Sequence, residues 1–467
     1  MARPHVLVIP FPAQGHVIPT MELAQRLVKQ GIKVTFINTE VNHKIVTSNL
    51  QVDKDGFGDL MQMVSIPDGL EPWEDRSDVR KLILSILQTM SGKLEKLIET
   101  INTEDSNKIT CVIADACMGL AIQAAANLGI RRACFWPASV TTLASTLSIH
   151  KLIDDGIINK NGLPLTDQII QLSETMPPIK PENLVWAAFQ DVPTIEAAFQ
   201  LFVKAEETCK MTEWFICNST TELESAAFSL YPQLLPIGPL LATNRLANQT
   251  GHFWQEDSTC LAWLDQQPPS SVIYIAFGSF TIFNQTQFQE LAFGLELSNK
   301  PFLWVMRPGM TKETTDAYPD GYIERVRSHG RIISWAPQQK VLAHPSIACF
   351  ISHCGWNSTL EGVTNGLPFL CWPYFGDQFH NKTYICDIWK TGLGFNKDEA
   401  GIITREEIKS KVELLLSDKT FREKALDIKD KIRSAVNEGG CSQKNLNNFI
   451  EWLKEKNTDD KDQPDSL

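Results

Sequence analysis

The stretch IACFISHCGWNSTLEG, residues 347–362, places a short apolar run directly before a polar segment that contains glycine. The run at residues 347–352 predicts a buried strand, and we expect a helix to begin near Trp356 or Asn357. A helix start presents unpaired backbone N–H groups and a partial positive charge, which suits an anion such as a diphosphate. Ordinary capping is the alternative, because residues 358–361, STLE, match a capping box.

The same alternation of short apolar runs and helical segments continues along nearly the whole chain and is typical of parallel sheets with crossover helices. Predicted strands in the first half are residues 5–11, 32–38, 109–114, 132–136 and 213–217, with helices at 21–30 and 81–101. Predicted strands in the second half are residues 271–277, 302–306, 332–334, 347–352 and 368–372, with helices at 285–298 and 405–416.

This pattern predicts an α/β protein of two Rossmann-like parallel-sheet domains that face one another across a cleft. The first domain is expected at residues 1–241 and an interdomain linker at 242–255, where neither periodicity holds. The second domain is expected at residues 256–453, with its last helix packing back on the first domain. Residues 454–467 are mostly polar and charged, and they are expected to form a flexible tail.

Composition favours small-molecule chemistry. The net charge is −12 and no Lys/Arg run tracks phosphates, which argues against a nucleic-acid partner or a basic membrane anchor. The first apolar run is too short for a signal peptide, and no apolar stretch is long enough to span a membrane. The 11 cysteines are scattered through apolar runs, which suits reduced thiols and a cytoplasmic location.

Polar and aromatic residues follow two further predicted strands in the second half. The indole of Trp335 can stack on a nucleobase, and Gln338 and Glu361 can hydrogen-bond ribose hydroxyls. Asp377 and Gln378 can bind the hydroxyls of a sugar. Together with an anion at the helix start, these partners suit a nucleotide sugar.

Residues 335–378, WAPQQKVLAHPSIACFISHCGWNSTLEGVTNGLPFLCWPYFGDQ, resemble the donor-binding signature (PSPG box) of plant secondary-product UDP-glycosyltransferases, glycosyltransferase family 1. The likeness has no gaps and extends to FPAQGHVIP at 11–19, VIADACMG at 112–119 and VIYIAFGS at 272–279. It implies a GT-B fold, a UDP-sugar donor, a small-molecule acceptor and an inverting transfer that needs no metal or other cofactor.

The resemblance also implies a role for individual donor-site residues. Trp335 would stack on uracil, and the Ala336 backbone would pair with the edge of the base. Gln338 and Glu361 would hold the ribose. The residues implied for the phosphates are His353, Asn357, Ser358 and Ser279, and those for the sugar are Trp356, Asp377 and Gln378. A glutamine at the last position goes with glucose in this family, so UDP-glucose is the expected donor.

His16 and Asp115 are the expected catalytic pair. His16 lies between the first predicted strand and helix, and histidine can remove a hydroxyl proton near neutral pH. Asp115 ends a predicted strand and could orient the imidazole and stabilise its charged form. A simple turn-starting role for Asp115 is the alternative. The matching positions of the resembled family form a His–Asp dyad.

Several mostly aromatic or apolar residues are candidates for the acceptor site, although a position in the hydrophobic core is the better interpretation of each one taken singly. These candidates are Met118, Phe135, Ser139, Trp186, Phe199 and Phe375. Their aromatic density suits flat phenolic or flavonoid acceptors.

We therefore predict a monomeric, UDP-glucose-dependent enzyme that glucosylates hydroxyl groups of small plant metabolites. The alternatives are a GT-B-fold nucleotide-sugar isomerase, a transferase forming C-glycosides or esters, and a non-catalytic sensor. A metal site finds little support, because the D-x-D spacings at residues 53–55 and 460–462 lie in charged, loop-like segments.

Overall fold

The computed structural model describes residues 3–49, 58–103, 108–241, 253–311 and 318–455. Most of the predicted linker at 242–255 and of the predicted tail at 454–467 lies outside these residues, as does the D-x-D spacing at 53–55.

The chain divides into two compact units whose boundaries differ from the predicted ones. The first unit takes residues 1–168, 189–253 and 435–467, and the second takes 169–188 and 254–434. Residues 169–188 therefore belong to the second unit, although the sequence placed them in the first domain.

The first unit is built on a parallel sheet with strand order β3-β2-β1-β4-β5-β6-β7. Its strands are β1 (His5–Ile9), β2 (Lys33–Thr39), β3 (Met61–Ile66), β4 (Cys111–Asp115), β5 (Arg131–Trp136), β6 (Trp214–Cys217) and β7 (Leu234–Pro236). Its helices in this part of the chain are α1 (Gln14–Lys29), α2 (Glu40–Asn49), α3 (Val79–Thr89), α4 (Ser91–Ile101), α5 (Gly119–Asn127), α6 (Val140–Leu147), α7 (Ile149–Asp154), α8 (Val192–Cys209) and α9 (Thr221–Leu230).

The second unit is built on a parallel sheet with strand order β10-β9-β8-β11-β12-β13. Its strands are β8 (Val272–Ala276), β9 (Phe302–Val305), β10 (Gly330–Ile333), β11 (Ile347–Ser352), β12 (Phe369–Cys371) and β13 (Gly392–Gly394). Its helices are α10 (Thr259–Leu264), α11 (Gln285–Ser298), α12 (Tyr322–Val326), α13 (Gln338–Leu342), α14 (Trp356–Thr364), α15 (Gln378–Thr383), α16 (Arg405–Ser417) and α17 (Lys419–Val436).

The predicted α/β class is confirmed, with two Rossmann-like parallel-sheet units. Central strands are buried along their whole length, as apolar runs covered by helices on both faces must be. Several helices begin at a polar residue whose side chain accepts from the first turn, among them α3 at Asp78, α8 at Asp191 and α11 at Asn284.

The last helix, α18 (Cys441–Lys454), packs into the core of the first unit. Leu446, Phe449, Ile450 and Leu453 on this helix join a buried cluster that also contains β1 and β2 residues such as Val8 and Phe36. The chain thus returns to the first sheet after completing the second, as the sequence predicted for the last helix.

Two helices differ from their predicted bounds. Helix α1 begins at Gln14 instead of residue 21 and continues through Pro19, its sixth residue, although proline lacks the backbone N–H that a helix interior uses. The helix predicted at 81–101 is divided at Met90 into α3 and α4. The short strands β3, β7 and β13 were not predicted.

Within the described ranges, the structure contains no helix that is both long and apolar enough to cross a membrane.

Candidate active site

The first unit brings His16 and Asp115 into direct contact. His16 Nδ1 lies 2.6 Å from Asp115 Oδ2, and the other carboxylate oxygen accepts a 2.9 Å hydrogen bond from the Cys117 backbone N–H. The Asp115 side chain is fully buried, whereas that of His16 is 26% exposed. If Nδ1 carries the proton that it donates to Asp115, Nε2 is the basic nitrogen of the ring.

The topology of the sheet explains this contact. Strands β1 and β4 are parallel neighbours, with Ile9 paired to Ala114, so the residues that follow both strands lie at one edge of the sheet. His16 is in the first turn of α1, directly beyond β1, and Thr20 anchors that turn by donating to the His16 carbonyl at 2.8 Å. The sequence placed His16 before the helix, but the helix start at Gln14 includes it.

Cys117 lies beside the pair, and one ligand atom each from His16, Asp115 and Cys117 lie within 4.8 Å of one another. A metal would require the thiolate of Cys117. Burial, reinforced by the nearby Asp115 charge, raises the pKa of this thiol well above its usual range, so the thiolate is disfavoured.

In the second unit, Glu361 belongs to a polar network that the sequence only partly predicted. The Gln338 amide donates to Glu361 at 2.7 Å and to the Ser358 hydroxyl at 2.9 Å, and Gln339 donates to the other Glu361 oxygen at 3.0 Å. The Tyr274 hydroxyl donates to the side-chain Oε1 of Gln338 at 3.0 Å. Three neighbours, Tyr274, Ser358 and Gln339, thus orient the two side chains expected at a ribose.

The capping-box interpretation of residues 358–361 is wrong. Helix α14 begins at Trp356 after Gly355, and no side chain caps it. Ser358 is therefore inside the helix, and Glu361 is directed at Gln338 and Gln339 instead of its own helix start. The positive end of the helix dipole at this start favours an anion.

His353 precedes this helix start and is held neutral. Burial lowers its pKa to about 4, so at neutral pH the imidazole keeps one N–H to donate and carries no charge. Gly278 lies against the ring with a φ of +68°, and a Cβ there would be 2.6 Å from His353 Nε2. Only glycine fits at position 278 without displacing the ring.

The predicted sugar contacts lie at the start of α15. Gln378 is buried, and its Oε1 accepts from the Tyr374 N–H at 2.7 Å and the Phe375 N–H at 3.2 Å. Asn381, which the sequence did not single out, donates to Asp377 at 2.9 Å and to the Cys354 carbonyl at 2.8 Å. Asn381 therefore links the sugar-contact segment to the loop before α14.

The remaining donor candidates also lie in the second unit. Trp335 is half-buried and stacks on Trp254 at 5.8 Å between ring centroids, an aromatic neighbour that the sequence did not indicate. The half-buried candidates are Ser279 and Asn357, and the buried ones are Ala336 and Trp356. Tyr274, Gln339 and Asn381 were missed because a strand or helix interior gives no pattern that marks a polar contact.

Most of the acceptor candidates are side chains buried in the protein interior. Phe135 is fully buried in the core cluster of the first unit. Ser139 is also fully buried, and it caps α6 by accepting from the Thr142 N–H, which does not present its hydroxyl to a ligand. Trp186 is buried in the segment that belongs to the second unit. Met118 and Phe199 are buried and Phe375 is half-buried; an acceptor contact for these three stays a prediction.

The chain is similar to known glycosyltransferases over nearly its whole length. A family model described as "UDP-glucoronosyl and UDP-glucosyl transferase" matches residues 220–432. UDP-glycosyltransferase 83A1 of Arabidopsis thaliana is 45% identical over 463 residues, which cover 97% of both chains. Linamarin synthase 1 of Manihot esculenta is 33% identical over 472 residues, which cover 96% of both chains.

The fold is also similar to that of a solved plant glycosyltransferase. A solved UDP-glucosyltransferase from Polygonum tinctorium superimposes with a TM-score of 0.83 at 27% identity, covering 98% of this chain and 100% of that one. This likeness confirms the GT-B fold that the sequence predicted. With 45% identity to a plant relative along almost its entire length, the chain belongs to the plant UDP-glycosyltransferase family.

Proposed function

We propose that this UDP-glycosyltransferase is an inverting enzyme that transfers glucose from UDP-glucose to a hydroxyl group of a small, aromatic plant metabolite. The observation that carries the proposal is the 2.6 Å contact between His16 Nδ1 and the buried Asp115 carboxylate. That contact makes His16 Nε2 a general base whose charged form has a partner within the protein.

The chemistry follows from this pair. His16 Nε2 accepts the proton of the acceptor hydroxyl as the oxygen attacks the anomeric carbon. The Asp115 carboxylate stabilises the imidazolium that forms, without itself taking the proton. The acceptor oxygen forms a bond to the anomeric carbon while the bond to the diphosphate breaks, so attack from the opposite face turns an α-linked donor into a β-linked product.

The second unit supplies the groups that hold the donor and stabilise the departing UDP. The Gln338–Glu361 network is proposed to bind the ribose, and the uncapped start of α14 with the neutral His353 is proposed to bind the diphosphate. Glucose as the transferred sugar is supported by Gln378 and by the Polygonum tinctorium relative, which is described as capable of glucosylating indoxyl.

The acceptor class is supported only by relatives of different specificity. Indoxyl, named for the solved relative, favours an aromatic hydroxyl acceptor, whereas the name of linamarin synthase 1 points to a non-aromatic product. We propose the aromatic class because of indoxyl and because Phe199 and Phe375, two candidates for which an acceptor contact stays a prediction, are aromatic. We also propose that the enzyme acts as a cytoplasmic monomer without a metal; the free state of all 11 cysteines supports a reducing compartment.

Incubation with UDP-glucose, UDP-galactose and UDP-xylose against a panel of phenolic and aliphatic alcohols tests the proposal, with products identified by mass and NMR. The proposal expects UDP release that depends on the acceptor, preference for UDP-glucose and a β-glucoside of a phenolic hydroxyl. Conversion of the nucleotide sugar without an acceptor would instead show an isomerase, and an alkali-labile product would show an ester.

A further inference from the structure

Arg307 is a buried guanidinium that donates to three backbone carbonyls. The residue follows β9 and is 6% exposed. Its Nε donates to the Gly278 carbonyl at 3.3 Å, its Nη2 to the Thr281 carbonyl at 2.6 Å and its Nη1 to the Pro308 carbonyl at 3.3 Å. Among the residues that the structure describes, no carboxylate forms an ion pair with it.

Keeping this charge buried is energetically unfavourable. Burial lowers the pKa of Arg307, and no acid in the described part of the chain opposes that effect. An arginine nevertheless stays protonated in proteins, so the positive charge remains. Neutral carbonyl acceptors satisfy its N–H groups without cancelling the charge, which leaves a positive potential at the carboxyl ends of β8 and β9.

The contacts of Arg307 also fix the segment at residues 278–281. Because a trans peptide unit is planar, a Gly278 carbonyl that points toward Arg307 directs the Ser279 N–H the opposite way. Gly278 in turn lies against the His353 ring. Arg307 therefore orients the backbone that carries Ser279 and that supports His353, two residues expected at the diphosphate.

We propose that Arg307 is a positioning residue for UDP: it holds residues 278–281 in the conformation that binds the diphosphate, and its positive charge attracts that anion. The inference rests on the proposed UDP-sugar donor. The anion completes the arrangement by supplying the negative charge that the described part of the chain does not provide for Arg307.

Calorimetric binding of UDP and of uridine to the full chain, with Arg307→Gln and Arg307→Lys, tests this role. Because only UDP carries the diphosphate, Arg307→Gln is expected to weaken UDP binding by about tenfold or more and to leave uridine binding within about twofold. Arg307→Lys keeps a charge but lacks the planar fork, so an intermediate loss for UDP alone is expected.

Arg422 provides the matched control. Its half-buried guanidinium donates to the Ala348 carbonyl near the amino end of β11, away from the edge where residues 278–281 lie. Arg422→Gln should leave the ratio of UDP to uridine affinity unchanged.

Two results would overturn the inference: unchanged UDP binding in Arg307→Gln, or equal weakening of UDP and uridine, which indicates a merely structural role. Unchanged uridine binding shows that a variant keeps a folded nucleotide-binding site. If Arg307→Gln fails to fold, the same criteria apply to Arg307→Lys. Failure of the unmodified chain to bind UDP would refute the proposed donor instead.

Discussion

At the scale of single residues, Glu361 shows how a side chain acquires a role through its neighbours. Its position in the sequence suits a helix cap, but its two oxygens accept from Gln338 and Gln339. A carboxylate so oriented is an acceptor for ribose hydroxyls and an unsuitable ligand for phosphate.

Replacing Glu361 by Gln is expected to weaken UDP binding by about tenfold, because an ionised acceptor for ribose hydroxyls is lost. Binding of 2′,3′-dideoxy-UDP, which lacks those hydroxyls, should change little. Calorimetric titration of both nucleotides measures the difference, with the exposed Glu324→Gln as control. An equal loss for the two nucleotides would show that Glu361 does not bind the ribose.

At the scale of elements, a second buried carboxylate fixes how α6 begins. Glu224 is fully buried and accepts from the Val140 and Thr141 N–H groups, each at 2.9 Å, and from the Ser219 hydroxyl at 2.6 Å. Its backbone leaves helical geometry inside α9, with φ −135° and ψ 44°. The chain's own carboxylate thus occupies the helix start where an external anion could otherwise bind.

Glu224→Gln tests this contact through the pH dependence of stability. Burial raises the pKa of Glu224 in the folded state despite its hydrogen bonds. The stabilisation from the neutral acid is therefore complete below the unfolded-state pKa and is lost as pH rises through the folded-state pKa. Glutamine does not titrate, so the free energy of unfolding of the unmodified chain should fall relative to the variant as pH rises above 4.5, the ordinary pKa of a glutamate.

Urea unfolding at several pH values measures this difference, whose slope cannot exceed about 1.4 kcal/mol per pH unit for one proton. The exposed Glu207→Gln serves as a control without the slope. The difference in unfolding free energy between the unmodified chain and Glu224→Gln could instead stay constant with pH, or grow in favour of the unmodified chain as pH rises. Either result would contradict a raised pKa for Glu224.

The sequence predicted the bounds of helices and strands well where an apolar pattern determines them. It was a poor guide where contacts between distant segments determine the structure. Strand β11 and helix α11 have the predicted bounds, because an unbroken apolar run and a clear helical period define them. The start of α1 was missed because Pro19 reads as a break. The Tyr274 and Asn381 contacts link segments distant in the chain, and such pairing is not visible in a local pattern.

At the scale of the whole molecule, the chain's last helix stabilises the unit that contains the chain's first residues. Phe449 is fully buried and lies 5.5 Å from the Trp214 ring, and the Arg131 guanidinium lies 3.9 Å above the Trp452 ring. The sequence predicted this return of the last helix, but it did not separate residues 169–188 from the first domain, because loop-rich segments carry no periodicity.

Phe449→Ala is expected to lower the free energy of unfolding by about 3–5 kcal/mol, because it leaves a cavity in the first unit's core. Asn448→Ala, at the neighbouring exposed position, should change stability by less than about 0.5 kcal/mol. Denaturant unfolding followed by tryptophan fluorescence makes the comparison. Equal stability of the two variants would show that α18 does not contribute to this core.

The His16–Asp115 dyad carries the proposed mechanism. Acceptor-dependent UDP release from UDP-glucose by His16→Ala tests it, with UDP affinity measured on the same preparation. Loss of the general base should reduce turnover by about 10²–10⁴-fold. Because His16 lies in the first unit and the donor candidates lie in the second, UDP affinity should be unchanged. Turnover comparable to that of the unmodified chain, with UDP still bound, would contradict the role of His16 as the general base.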